Sequence, residues 1–338
     1  MCSAPDAAQD TLVYEQPDET FYTSVTTTKD EKYILIDVQS TLSSEWLYAR
    51  ADDPALAFKV FRPRERDFEY YIEHLDGRWI IRTNWNAPNY RLMEAKVGEE
   101  GDRANWKEIV AHRQDAFIHS FDVFRTSSRS KSARARLRKI RIRPWGGGKD
   151  FYIASDEPAY ATSLGQNAEI DTPHRALRVQ LAHHAGDDLR LRHPDRRAPA
   201  DEAHAGARRL RSRELPHRTR VGGGARRREG PGLARLPRRL QEGRHGADAA
   251  VRLRLLRRDL RPAFSVARVS LLDRGFVYAL AHIRGGQEMG RRWYDDGRLL
   301  NKKNTFTDFI DVTRFLVKRG LRRPEARLRR WAAAPAAS

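Results

Sequence analysis

Three acidic side chains and one histidine come close together in the C-terminal part of the sequence. Glu288, Asp295 and Asp296 follow an apolar run that contains His282. Carboxylates in a loop can hold a basic substrate, and a nearby histidine can transfer protons near neutral pH. The same residues also fit a solvated turn and a buried structural histidine, so the residue types alone leave both interpretations open.

Other patterns associated with catalysis are incomplete. Ser265 and Ser270 fall in a predicted helix, without the Gly-rich turn that exposes a nucleophilic serine. The glycine triplet at 146–148 lies in a predicted turn and the triplet at 222–224 in a stretch of aberrant composition, so neither is a phosphate-binding loop. Cys2 is the only cysteine, which excludes zinc-ligand spacing and a disulfide framework. We therefore expect no metal and no cofactor.

The elements around the acidic residues are typical of an α/β layer fold. Ser265–Arg274 has apolar residues at helical spacing, and Phe276–Ile283 is a short, continuously apolar run of the kind buried in a parallel sheet. Thr305–Arg319 again has helical spacing, and Thr305 with Asp308 resembles a capping box with Asp in the acidic position. The sequence thus predicts helix, strand, loop and helix in this order, with the acidic residues in the loop.

The first half of the chain contains a repeat of about 46 residues. Asp30–Val38 is echoed by Asp76–Asn84, and Trp46 corresponds to Tyr90. Each unit has short runs of alternating apolar residues that are separated by turn residues, which is typical of strands. Units of four strands at this period predict the blades of a β-propeller, with Trp46 and Trp79 in the core.

Basic charge is concentrated in the middle of the chain. The net charge is +19, and residues 172–262 contribute +14 from 24 Arg and 10 acidic residues. This stretch contains no Lys, Ile, Met, Asn or aromatic residue, so it lacks the side chains that fill a core at native density. Three interpretations are an Arg-rich disordered linker, an RNA-binding arm and an out-of-frame translation of GC-rich DNA.

The segment Phe264–Gly320 is similar to the one that precedes the nucleophile in the oligopeptidase B (protease II) enzymes of the prolyl oligopeptidase family of serine peptidases. Five stretches in the first half resemble the propeller domain of that family: Thr41–Glu45, Phe61–Asp67, Ile81–Trp85, Ile140–Trp145 and Asp156–Tyr160. The resemblance implies a β-propeller followed by an α/β-hydrolase domain, and hydrolysis of short peptides after Arg or Lys by a Ser-Asp-His triad. It also places Glu288, Asp295 and Asp296 near the active-site face, as candidates for binding a basic substrate.

The nucleophile of the family is absent from the sequence as translated, but another reading frame permits it. From the third base of the Arg330 codon, the tail allows Met-Gly-Gly-Ser-Ala-Gly-Gly, and the serine codon then spans Ala333 and Ala334. From the second base of each codon, Leu177–Arg192 allows a strand-like string that resembles the propeller at this place. Two such strings at the expected places indicate frame breaks, with the oxyanion tyrosine in the out-of-frame stretch and the triad Asp and His beyond Ser338.

These observations predict four regions. They are a partial β-propeller over 1–171, an aberrant, disordered and out-of-frame segment over 172–262, the N-terminal part of an α/β-hydrolase domain over 263–323, and an out-of-frame tail over 324–338. The predicted protein is a fragment of a serine oligopeptidase that is inactive as written. The alternatives are a free-standing propeller that binds peptides or proteins, and an Arg-rich nucleic-acid binder.

The predicted partners of the repaired enzyme are short basic peptides, with no specific nucleic acid and no membrane. No apolar run approaches the roughly 18 residues that a membrane span needs. The single cysteine and the polar, acidic start of the chain predict a cytoplasmic protein. The oligomeric state does not follow from the sequence.

Overall fold

The computed structural model describes the N-terminal blades, a C-terminal segment and a series of strands between them. The described residues are 11–134, 137–147, 149–153, 160–164, 167–171, 174–181, 184–192, 217–223, 229–235, 249–252 and 277–318. The chain divides into two compact units: Met1–Asn86 with Arg91–Ala111, and Ala87–Tyr90 with His112–Ser338.

The first unit contains two four-stranded sheets in which each strand pairs antiparallel with the next one along the chain. The first sheet consists of β1 (Tyr22–Thr27), β2 (Tyr33–Gln39), β3 (Ser44–Arg50) and β4 (Lys59–Arg62). The second sheet consists of β5 (Tyr70–Leu75), β6 (Arg78–Thr83), β7 (Arg91–Lys96) and β8 (Lys107–Val110). Four-stranded meanders of this kind are propeller blades, so the predicted repeat is confirmed.

The two sheets also repeat a β-bulge. The register shifts between Trp46 and Leu47, where β3 pairs with β4, and between Leu92 and Met93, where β7 pairs with β8. By the position of the bulge, the counterpart of Trp46 is Leu92. The predicted correspondence with Tyr90 is wrong, because Tyr90 precedes β7 and has a positive φ of 63°.

The indole of Trp79 is the centre of the core of the first unit. It is fully buried, and its ring centroid lies 4.9, 5.1 and 5.4 Å from those of Tyr33, Tyr48 and Phe61. Tilted and edge-on contacts like these each contribute about 0.5–1.5 kcal/mol beyond the area that they bury. Trp46 is buried in the same cluster, so the prediction that both tryptophans belong to the core is confirmed.

Buried hydrogen bonds join β3 of the first sheet to β5 of the second. The hydroxyl of Ser44 and the indole Nε1 of Trp46 both donate to the carbonyl of Tyr70, each at 2.9 Å. The hydroxyl of Tyr70 in turn accepts from the backbone N–H of Trp46 at 3.1 Å. Burial raises the pKa of Tyr70 above its ordinary value, so the phenol stays protonated. These bonds fix the spacing of the two sheets.

Two further antiparallel sheets follow in the second unit, with the same meander order. The first consists of β9 (Ala116–Phe124), β10 (Ser127–Arg134), β11 (Leu137–Pro144) and β12 (Phe151–Ile153). The second consists of β13 (Tyr160–Leu164), β14 (His174–Leu181) and β15 (His184–Arg192). Together with the first two sheets they make four successive antiparallel meanders, of which the first three have four strands and the last has three.

Strands occur within residues 172–262, where the sequence analysis expects disorder. Besides β14 and β15 they are β16 (His217–Gly223), β17 (Glu229–Arg235) and β18 (Ala249–Arg252). These strands cover only parts of the segment, and the expectation of disorder for 172–262 stays a prediction. Strand pairing uses backbone N–H and C=O groups, which nearly every residue carries, so a ladder forms without aromatic side chains.

The last sheet contains the strand that was predicted at Phe276–Ile283. This strand, β19 (Val277–Ala281), pairs parallel with β18 and antiparallel with β17, and the sheet order is β16-β17-β19-β18. The predicted strand is confirmed, but the sheet is mixed and not parallel. The predicted helix Ser265–Arg274 lies outside the described residues.

Two helices follow β19: α1 (Arg291–Asp295) and α2 (Lys303–Lys318). Helix α2 confirms the second predicted helix and begins two residues earlier than predicted. Its buried apolar residues are Phe309 and Leu316, whereas Phe306 and Ile310 are exposed. Among the described residues, no helix has both the length and the apolar character for crossing a membrane.

Replacing Trp79 with Ala is expected to lower the free energy of unfolding by about 3–5 kcal/mol, because a large buried ring leaves a cavity among other aromatic rings. Chemical denaturation followed by far-UV circular dichroism measures the change. Tyr22→Ala is the matched control, since Tyr22 is 77% exposed. This variant should lower the free energy of unfolding by less than about 0.5 kcal/mol. Equal losses for the two variants would contradict this account of the core.

Candidate functional site

The loop between β19 and α2, residues 284–297, carries the three acidic candidates. We call it the 284–297 loop. Its first part is joined to the helix α1 that it contains, because the N–H of Gly285 donates to the carbonyl of Trp293 at 2.9 Å. A Cβ atom on Gly297 would lie 2.2 Å from the backbone nitrogen of Gly285, and Gly285 itself has a φ of 102°. Glycine is therefore required at both positions, since the two backbones touch.

One carboxylate of α2 binds the first residue of the loop. Asp308 Oδ2 accepts from the backbone N–H of Arg284 at 2.9 Å and from its Nε at 2.8 Å, and Oδ1 accepts from Nη2. The hydrogen bonds to Asp308 hold the pKa of Arg284 above its ordinary value. A bidentate, charge-assisted pair is stronger than a neutral hydrogen bond, so it anchors the end of β19 to α2.

The hydroxyl of Thr305 completes this anchor. It donates to the carbonyl of Arg284 at 2.8 Å and lies 3.1 Å from the carbonyl of Gly297. The predicted capping box of Thr305 and Asp308 is therefore wrong. Both side chains face the loop, because α2 begins at Lys303 and Thr305 already lies inside the helix.

Glu288 faces the protein interior. Its Oε1 lies 3.5 Å from Nδ1 of His282, and both side chains are more than nine-tenths buried. Neither ring nitrogen of His282 has a hydrogen-bond partner among the described residues. The geometry favours the interpretation of His282 as a packed residue, and Glu288 is not presented to a substrate from solution.

Asp295 and Asp296 are each close to arginines of the same segment. Asp295 Oδ1 accepts from Arg291 Nε at 3.2 Å and lies 3.0 Å from Arg298 Nε. Asp296 Oδ2 lies 3.9 Å from Arg292 Nε. These carboxylates are partly exposed, so the structure resembles the predicted solvated turn more than a pocket for a basic side chain.

The loop brings the acidic residues into one segment but points them in different directions. Glu288 faces His282, whereas the two aspartates face arginines. Within the described ranges, no group of three His, Cys, Asp or Glu side chains is arranged to hold a metal ion. Ser265 and Ser270, like the codons of Ala333 and Ala334, lie outside the described residues.

The loop is also contacted by a residue from far along the chain that no sequence pattern indicates. The side-chain oxygen of Asn89 accepts from the backbone N–H of Arg291 at 2.9 Å, across 202 positions of sequence. No local pattern marks Asn89, because it lies in the connection between β6 and β7, where asparagine is a common turn residue. The ion pair of Arg284 likewise has no marker in the sequence, because the spacing of Thr305 and Asp308 fits a helix cap equally well.

Comparison with protein families gives two matches. Residues 5–182 match the model described as prolyl oligopeptidase, N-terminal beta-propeller domain. Residues 262–328 match the model of the prolyl oligopeptidase family. The first match covers β1–β14, and the second covers β19, the 284–297 loop, α1 and α2.

Two similar proteins are longer than this chain. Dipeptidyl aminopeptidase BI of Pseudoxanthomonas mexicana is 39% identical over 333 residues, which cover 93% of this chain and 43% of that protein. Protease 2 of Moraxella lacunata is 25% identical, over 94% of this chain and 46% of that protein. The chain therefore spans less than half the length of these relatives.

Solved structures share the fold. Oligopeptidase B from Leishmania major has a TM-score of 0.81 at 23% identity, over 94% of this chain and 46% of that chain. Oligopeptidase B from Trypanosoma brucei, with covalently bound antipain, has a TM-score of 0.80 at 22% identity, with the same coverage. At these identities the likeness concerns the fold alone.

Replacing Asp308 with Ala is expected to lower the free energy of unfolding by about 2–3 kcal/mol, because it leaves the largely buried Arg284 without its carboxylate. Asp311→Ala is the matched control one turn later on α2. Asp311 lies 3.8 Å from Arg314, whose side chain is mostly exposed, and such pairs contribute about 0–1 kcal/mol. Chemical denaturation measures both, and hydrogen exchange should show lost protection of the 284–297 loop only for Asp308→Ala. Equal effects would contradict the anchoring role.

Proposed function

This chain belongs to the prolyl oligopeptidase family, and we propose that it represents part of a serine peptidase that hydrolyses short peptides after Arg or Lys. The observation that carries the proposal is the pair of family matches, to the propeller over 5–182 and to the peptidase over 262–328. The second region holds β19, the 284–297 loop and α2. A strand, loop and helix of this kind belong to the layer that presents a nucleophile elbow.

The chemistry of the proposed peptidase needs four groups. A serine attacks the scissile carbonyl, a histidine takes its proton, an aspartate orients the histidine, and hydrogen-bond donors stabilise the oxyanion. The proposal assigns the serine to the alternative frame at the codons of Ala333 and Ala334. Frame breaks at the borders of 172–262 and near 324 are part of the same proposal.

The preference for Arg or Lys requires acidic residues in the substrate pocket. Glu288, Asp295 and Asp296 already face His282 or arginines of this chain. We therefore propose that the pocket acids lie in parts of the complete enzyme other than the 284–297 loop, and that this loop supports the site without binding the basic side chain.

A second candidate is removal of dipeptides from the amino end of a substrate. The specific observation in its favour is the 39% identity to a protein named dipeptidyl aminopeptidase BI, against 25% to one named Protease 2. Both candidates share the serine mechanism and differ in whether a free amino terminus is recognised.

Two other functions have less support. A free-standing propeller does not account for the family match at 262–328, and an Arg-rich nucleic-acid binder does not account for the blade strands β1–β12. We propose that neither a specific nucleic acid nor a membrane is a partner, and that the protein acts in the cytoplasm, in keeping with its single cysteine.

The 338-residue polypeptide itself is expected not to hydrolyse a peptide amide that ends in Arg or Lys. Without the elbow serine only weak residual catalysis remains, even when the rest of a site is intact. The measurement uses a dibasic fluorogenic peptide. Turnover that a serine-directed inhibitor abolishes would contradict the assignment of the nucleophile to another frame.

A frame-repaired gene, extended past the elbow, is expected to encode an active peptidase. Matched peptides with Arg, Lys, Pro or Phe before the cleaved bond should be hydrolysed with the preference Arg and Lys over Phe and Pro. Each peptide is tested with a free and with a blocked amino terminus. Cleavage of free amino termini alone would favour the dipeptidyl activity, best cleavage after Pro would reject basic specificity, and a folded protein that cleaves none would reject the peptidase proposal.

A further inference from the structure

Asn89 connects three distant parts of the second unit. Its side-chain Nδ2 donates to the carbonyls of Arg113 and Gln114 at 3.1 and 2.9 Å, and its Oδ1 accepts from the N–H of Arg291 at 2.9 Å. Its backbone carbonyl accepts from Ile118 N–H at 3.0 Å. Asn89 is buried, and its bond to Arg291 is buried as well, whereas its bonds to Arg113 and Gln114 are partly buried.

The 284–297 loop is shaped to receive this side chain. Gly290 has a φ of 92°, and a Cβ atom there would lie 2.7 Å from Oδ1 of Asn89. Glycine therefore serves two needs at this position: the backbone conformation and the close approach of Asn89. The next residue, Arg291, is the first residue of α1 and the one whose N–H is bound.

Helix α1 depends on a hydrogen-bond acceptor from outside the helix. It has five residues, and Gly290 provides no side-chain cap. The first N–H groups of a helix have no partner within it, and an isolated helix this short does not persist in water. Asn89 supplies from the remote segment 87–90 the acceptor that a serine or aspartate cap provides locally in other helices.

We propose that Asn89 is a positioning residue that couples docking to order: α1 and the second half of the 284–297 loop are formed only while Gly290 and Arg291 are docked on Asn89. Release of this contact leaves both ends of the loop anchored, through Arg284 with Asp308 and through Gly297 with Thr305, and frees α1 between them. The device is an order–disorder switch that is set by one contact. Its catalytic consequence rests on the proposed function, because it would place a conformational step next to the peptidase site.

The two sets of hydrogen bonds made by Asn89 can be separated by substitution. Asn89→Ala removes the donors and the acceptor. Asn89→Asp keeps an acceptor for the N–H of Arg291 but loses the donors to Arg113 and Gln114. If Asn89 orders the loop, residues 291–297 should stay protected from exchange in Asn89→Asp and lose protection in Asn89→Ala. If Asn89 acts only on the turn at 113–114, both variants should lose protection equally.

The test is hydrogen exchange on the 338-residue chain, resolved by peptide. For Asn89→Ala we expect exchange of residues 291–297 to become about tenfold faster, as for the loss of one net hydrogen bond. Peptides from β6 and β7 should not change. Trypsin cleavage after Arg291 and Arg292 should accelerate in parallel. Asn105→Ala is the control, since it removes an exposed bond to the carbonyl of Glu99 at 3.2 Å, and it should leave residues 291–297 unchanged.

A double substitution tests the contact directly. Gly290→Ala should expose residues 291–297 to exchange on its own, through strain and collision with Asn89. In the Asn89→Ala background it should have a smaller effect, because the collision is gone. Strictly additive effects, unchanged exchange in Asn89→Ala, or equal loss of protection in β6 and β7 would each overturn the proposal.

The exchange experiments need no peptidase activity, so their outcome does not depend on the proposed function. In a frame-repaired, active enzyme, Asn89→Ala should raise KM more than it lowers kcat, and Asn89→Asp should restore most of the loss. A pure loss of folded enzyme would lower the apparent kcat with KM unchanged and would contradict a positioning role.

Discussion

The attachment of Arg284 to α2 is the constraint on which the C-terminal segment depends. Its N–H and guanidinium are bound by Asp308, and its carbonyl by Thr305. The backbone N–H, the carbonyl and two guanidinium nitrogens of this residue are thus held by one face of one helix. Moving α2 away would strand a partly buried guanidinium and two backbone groups at once, which is much more costly than losing an exposed ion pair. The end of β19 and the start of α2 therefore behave as one body, and the loop between them is free to vary only in its middle.

The first unit is held together differently. Its cohesion comes from aromatic rings around Trp79 and from shielded hydrogen bonds of Ser44 and Trp46 to Tyr70. A blade cannot bury both faces alone, so each one relies on a neighbour. The contrast between β5, which is largely buried, and β1, whose six residues are all exposed, shows this directly. Among the described strands, β5 has a blade against it and β1 does not.

The sequence predicted the elements whose signal is local and repeated. The blade period, the strand at Val277–Ala281 and the helix ending at Lys318 each followed from apolar spacing over a few residues. The capping box failed because the same residue types, Thr and Asp three positions apart, can bind either their own helix end or another backbone. Sequence spacing does not distinguish these partners, and burial of Thr305 decides between them. The contact of Asn89 with Arg291 had no local signal at all. Side-chain composition gives no signal for the strands within 172–262 either, because strand pairing is a backbone property.

The touching backbones of Gly285 and Gly297 make the 284–297 loop a closed ring. The number of residues in the ring is constrained by that contact and by the hydrogen bonds of Arg284 and Thr305. One extra or missing residue would therefore break the contact between the two glycines. The 3₁₀ turn at Leu299–Asn301 lies just beyond the ring, and Leu299 and Leu300 are almost fully exposed. Length variation between related proteins should therefore be rare between the two glycines and common at this turn. A peptide tag or a fluorescent reporter inserted after Leu300 would leave the ring intact.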